Sequence, residues 1–85
     1  MSSYALFITR SAQKELAKLS SPVYERLKDS IYKLSSNPHP TSSKKLIARP
    51  GWRVRVGKYR VIYEIDEQQK TITVLDIGHR RDVYR

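Results

Sequence analysis

The stretch GWRVRVGKYRVIYEID, residues 51–66, decides the fold. Apolar and polar residues alternate at period two from Trp52 to Val56 and again from Tyr59 to Ile65, the pattern of two strands with one buried face each. Between them stands Gly57-Lys58, and glycine in the first central position suits a two-residue type II′ turn, whose twist matches that of the flanking strands. That turn sets the register: Val56 faces Tyr59, Arg55 faces Arg60, Val54 faces Val61 and Arg53 faces Ile62. Trp52, Val54, Val56, Tyr59, Val61, Tyr63 and Ile65 then share one wide apolar face, while Arg53, Arg55 and Arg60 share the other. Like charges directly opposite in a sheet destabilise it by up to about 1 kcal/mol. The Arg55/Arg60 pair is therefore a local cost that only Glu64, one pair further along, offsets within the hairpin.

Downstream, Thr71 to Ile77 is a third consecutive strand, reached through the polar turn Glu67-Gln68-Gln69-Lys70. It carries apolar residues at both parities, as a central strand covered on both faces does. Upstream, Asn37 to Gly51 reads as a loop rich in Pro, Ser and Lys, with Leu46 and Ile47 as its anchors into the core. Before that loop the period changes to that of a helix. Val23, Leu27, Ile31 and Leu34 form one stripe, with Ser21 as cap, Pro22 at the first position and Asn37-Pro38-His39-Pro40 as the stop. Ala12, Leu16 and Leu19 form another, with Thr9 or Ser11 as N-cap. Tyr4 to Thr9 alternates Tyr4, Leu6 and Ile8 against Ala5 and Phe7 and reads as a strand. The expected architecture is α+β, in the order βααβββ, with a helical hairpin packed on one face of a small antiparallel-rich sheet.

Eighty-five residues make a single domain, 1–85, and 39% hydrophobic with 29% charged residues is a globular balance. The absence of cysteine excludes disulfides, a thiolate nucleophile and Cys-ligated metal, and two isolated histidines do not complete a metal site. No apolar run approaches the roughly 18 residues of a membrane span, and the first residues do not read as a secretory signal, so a cytoplasmic protein is expected. Against 8 acidic residues stand 17 Lys and Arg, a net charge of +9. Such a charge calls for an anionic partner: nucleic acid first, then acidic proteins or anionic membrane surfaces.

A row of guanidinium groups on a rigid sheet is a preorganised anion clamp, and the planar arginine fork matches phosphate oxygens in pairs. The same row also reads as a solvated polar face, or as a cradle for an acidic peptide. The tail GHRRDVYR, residues 78–85, adds His79, Arg80, Arg81, Tyr84 and Arg85. Cutting RNA requires a base for the ribose 2′-hydroxyl proton, cations for charge on the pentacoordinate phosphate, an acid for the leaving 5′-oxygen and a platform for a base. Arginine stays protonated and is not the base. His79 and Tyr84 are the candidate proton carriers of this cluster, although His79 also reads as an ordinary surface histidine and Tyr84 as packing for the terminus. His39, between two prolines, shows no chemistry.

Taken together, LSSPVYERLKDSIYKLSSNP, KKL, GWRVRVGKYRVIYEID and GHRRDVYR resemble the RelE branch of the RelE/ParE toxin superfamily, over nearly the whole chain from Tyr4. The resemblance implies a microbial RNase fold and the toxin half of a type II toxin–antitoxin pair. It further implies a ribosome-dependent endoribonuclease that cuts mRNA in the ribosomal A site through the mRNA's own 2′-hydroxyl. The partners it implies are a cognate antitoxin, the ribosome and mRNA, with no membrane, no cofactor and no metal, and the toxin a monomer within the toxin–antitoxin hetero-oligomer.

Carried over by residue, the catalytic positions fall on Arg53, Arg55, Arg60, Arg80 and Tyr84, with His79 as candidate proton carrier; Lys44, Lys45, Lys58 and Arg81 add substrate-binding charge. Arg55 departs from the family, whose best-studied members have lysine there, so either arginine acts by electrostatics alone or His79 takes the proton. ParE-like members share the fold but poison DNA gyrase, and a non-catalytic module that binds RNA or the antitoxin is the third reading.

Overall fold

The computed structural model describes residues 3–47 and 49–79. Its elements run β1 (Ala5–Ile8), α1 (Arg10–Ala17), α2 (Ser21–Leu34), β2 (Ser43–Lys45), β3 (Trp52–Val56), β4 (Tyr59–Asp66) and β5 (Thr71–His79). The five strands form one mixed sheet in the order β1-β5-β4-β3-β2. β1 pairs parallel to β5, and every other neighbouring pair is antiparallel.

The hairpin has the expected register, with Trp52 opposite Tyr63, Val54 opposite Val61 and Arg55 opposite Arg60. Gly57 sits at φ +59 while Lys58 keeps a negative φ, which is the type II′ combination and excludes type I′. Buried Val54, Val61 and Tyr63 join Ile72, Val74 and Ile77 of β5 on one face. Ala12 and Leu16 of α1 and Leu27, Ile31 and Leu34 of α2 close over that face, so both helices lie on the same side of the sheet. Each of the leucine, isoleucine and valine side chains among them, taken fully out of water, contributes roughly 1.5–3 kcal/mol. Within the core, the Tyr63 hydroxyl donates to the Pro38 carbonyl oxygen at 2.7 Å and so ties the α2–β2 connection to the central strand.

Thr9 caps α1: its Oγ1 accepts from the Ala12 N–H at 3.2 Å and donates to the Leu75 carbonyl oxygen at 3.1 Å. One hydroxyl therefore starts a helix and fixes it to the last strand. At α2 the N-cap is Ser20, not Ser21, with Pro22 still inside the first turn.

Three further sequence expectations are corrected. The Asn37–Gly51 loop contains β2, three polar residues that pair with β3 as Ser43 to Val54, Lys44 to Arg53 and Lys45 to Trp52. Three residues are too few to show a period, and it is the open edge of β3 that makes them a strand. Of the two expected anchors in this stretch, Ile47 is exposed and Leu46 half-buried. The mixed parity of β5 likewise has another cause than coverage on both faces. The β4–β5 register shifts between Ile62 and Tyr63: Ile62 pairs with Asp76, yet Tyr63 pairs with Val74. The extra residue, Leu75, is a β-bulge, and it brings Ile77 back to the face of Ile72 and Val74.

Among the described residues no helix is long and apolar enough to cross a membrane.

Candidate functional site

Register places the site. On the face of the sheet away from the helices lie Lys44 of β2, Arg53 and Arg55 of β3, and Arg60, Ile62 and Glu64 of β4. Opposite Arg60 stands Gly78, and opposite Ile62 stands Asp76. Directly opposed residues lie about 4.5–5.5 Å apart at the backbone, and alternate residues of a strand about 7 Å apart. Lys44, Arg53, Arg55 and Arg60 therefore make one cationic patch a nucleotide or two across.

The four differ in setting. Lys44 and Arg55 are exposed and Arg53 is half-buried, whereas Arg60 is only 5% exposed and its neighbour Ile62 3%. Arg60 is the floor of the patch, on the middle strand of five. Burying a guanidinium costs several kcal/mol before compensation, and doing so directly across from a second arginine adds repulsion. Gly78 offers no side chain over Arg60, and a glycine within a strand marks a place where another molecule's backbone can approach closely. The arrangement suits an anion held between Arg60 below and Arg53 and Arg55 at the side.

Other expected site residues are elsewhere. His79 pairs with Tyr59, and their rings meet edge to face at 5.6 Å. That pairing assigns His79 to the helix-covered face, away from the arginines. Lys45 pairs with Trp52 and sits at the sheet edge on that side. Lys58 lines a groove of about 320 Å³ between α2 and the hairpin turn, with Val23, Arg26 and Tyr59 among its walls. Arg80, Arg81, Tyr84 and Arg85 lie outside the described residues.

Sequence reasoning missed Asp76. Counted at period two from Ile72 and Val74 it belongs to the core face, and the bulge at Leu75 turns it to the arginine face. The visible signal was the spacing of Ile72, Val74 and Ile77, two residues and then three, which is the mark of an inserted residue. Asp76 is half-buried, and its Oδ1 accepts from the Ile77 N–H at 3.0 Å. A further resident of this face is Phe7 of β1, opposite Thr73 and 55% exposed.

Away from the site, Tyr4 and Tyr63 have phenols pushed above their ordinary value. In Tyr4 the cause is first its hydrogen bond to Glu67, at 2.6 Å, while in Tyr63 it is burial, opposed by a hydrogen bond with Ser43.

Comparison with known proteins agrees with this fold. A family model described as the ParE toxin of type II toxin–antitoxin systems matches residues 6–84. Toxin RelG of Mycobacterium tuberculosis is 45% identical over 31 residues, a match that spans only 36% of either chain. A RelE-like toxin protein of Escherichia coli is 27% identical over 85 residues, covering 95% of this chain and 90% of that one. Among solved structures, the toxin–antitoxin complex RelBE2 of Mycobacterium tuberculosis superposes with a TM-score of 0.82 at 27% identity, covering 92% of this chain and 99% of that one.

Proposed function

We propose, for a chain that belongs to the ParE toxin family of type II toxin–antitoxin systems, that its activity is of the RelE kind: ribosome-dependent cleavage of mRNA in the cytoplasm. The observation that carries this reading is the placement of Arg53, Arg55 and Arg60, with Lys44, on the sheet face away from the helices, including two arginines in direct opposition. In the reaction the 2′-oxygen attacks the adjacent phosphorus and the bond from phosphorus to the 5′-oxygen breaks. Arg60 and Arg55 hold the non-bridging oxygens and stabilise the charge that grows on them, while Arg53 and Lys44 hold the flanking backbone. Preorganised donors of this sort are each worth about 10²–10³ in rate. Arg80 enters as a further phosphate ligand, Arg81 as substrate-binding charge and Tyr84 as a stacking platform, through the resemblance alone. His79, beside Tyr59, is left out of the proton transfer.

The similar RelBE2 structure is of a toxin–antitoxin complex, and a cognate antitoxin is the proposed partner here. The net charge of +9 calls for acidic residues in the segment that covers the arginine face.

The test is a translating extract beside the same mRNA without ribosomes, with new 5′ ends mapped for the wild type and for Arg60→Ala. Cuts at fixed codon positions that require ribosomes and vanish in the variant are expected. The ParE name of the matching family model favours a second reading, inhibition of DNA gyrase. A supercoiling assay in which stoichiometric protein blocks gyrase, with no cuts in either translation tube, would establish it instead.

A further inference from the structure

We propose that Asp76 takes the proton from the attacking 2′-hydroxyl, an inference that rests on the ribonuclease reading above. Arginine is always charged and supplies no base. With His79 assigned to the other face, a carboxylate that shares the arginine face is the group suited to accept the proton beside the phosphate clamp. Among the described residues of β2 to β5 on that face, the carboxylates are Glu64, Asp66 and Asp76. Position decides between them. Glu64 lies four residues along β4 from Arg60, about 13 Å at strand spacing, and is exposed; Asp66 is further still. Asp76, opposite Ile62, is the diagonal neighbour of Arg60, about 7–8 Å away at the backbone. That interval holds a phosphate on the guanidinium and the neighbouring ribose hydroxyl at the carboxylate.

Two details fit a base rather than a passive charge. Oδ1 is engaged by the Ile77 N–H, which orients the carboxylate, and Oδ2 is the oxygen assigned to the proton. The residue also reaches this face through a β-bulge, a device found beside active sites where one side chain has to be re-aimed. The balance is complete: the 2′-proton passes to Oδ2, the 2′-oxygen bonds to phosphorus, and the 5′-oxygen departs and takes a proton from water. The products are a 2′,3′-cyclic phosphate and a 5′-hydroxyl, and Asp76 later returns its proton to solvent.

The test is single-turnover cleavage of ribosome-bound mRNA by the wild type, Asp76→Asn, Asp76→Glu and Asp76→Ala, with ribosome binding and thermal melting measured on each. Asparagine keeps the size and the acceptor for the Ile77 N–H and loses the basicity. The expected result is a cleavage rate lowered about 10²–10⁴-fold in Asp76→Asn, at unchanged binding and melting temperature. Partial recovery in Asp76→Glu, and recovery of Asp76→Ala by added acetate in proportion to its concentration, are expected with it. Cleavage by Asp76→Asn within threefold of wild type overturns the proposal. So does a loss that follows lowered binding or melting and is not restored by acetate, which would make Asp76 a structural counter-charge. Absence of cleavage by the wild type itself overturns the ribonuclease reading and this proposal with it.

Discussion

β4 belongs to two regions at once. Toward the helices it presents Val61 and Tyr63, wholly buried, and away from them Arg60, Ile62 and Glu64. On the covered side the neighbours are apolar or hydrogen bonded, so a change of side chain there alters how much surface leaves water. On the other side two arginines stand directly opposite one another and one guanidinium is buried, which carries a local electrostatic cost. Sites of function are where such costs are expected, and here one strand carries the stabilising and the costly halves on alternate residues.

Three substitutions test that contrast. Leu27 is 0% exposed beneath α2, and Leu27→Ala is expected to cost about 2–5 kcal/mol in urea unfolding, with cleavage per folded molecule unchanged; a cost below about 1 kcal/mol would break the comparison. Arg55→Ala should do the reverse. Cleavage falls about 10²–10³-fold, while the melting temperature holds or rises as a repulsion of up to about 1 kcal/mol is relieved. A clear drop in melting temperature there would remove the contrast between the faces.

The smallest effect sharpens the covered side. Tyr63→Phe deletes the hydrogen bond to the Pro38 carbonyl, for about 1 kcal/mol at neutral pH. Burial raises the Tyr63 phenol in the folded state, so the unfolded chain ionises first, near pH 10. The stabilisation is full below that pH and is lost as pH rises through the folded value. Urea titrations from pH 8 to 11 should show a steeper alkaline decline for the wild type than for Tyr63→Phe; parallel curves would refute it.

The hairpin, its register and the two faces were legible because Gly57-Lys58 admits one turn geometry and each strand keeps period two. Both helices were legible from their stripes, and Thr9 was among the expected caps. β2 was not, since Ser43–Lys45 becomes a strand only by pairing with β3. Nor was the face of Asp76, because a single inserted residue reverses every later assignment made by counting. The face of His79 was not legible for a related reason: nearness in sequence to Arg80 says nothing of which side of the sheet a residue takes. The arginine row was thus visible in the chain, and the carboxylate beside it only in the fold.

The parallel pairing of β1 with β5 joins Ala5 to Thr71 and Ile8 to Val74, and the Thr9 cap reaches Leu75 across the same interval. Closing so long a loop has to precede any gain from the contact, which slows folding. During synthesis the first strand and the helices leave the ribosome long before the strand they must meet. The helical hairpin then lacks the strand that joins β1 to the rest of the sheet, and the β3–β4 hairpin that carries the arginines lacks its β5 neighbour. Until Thr71–His79 has been made, neither the helix-covered face nor the arginine face of the sheet is complete.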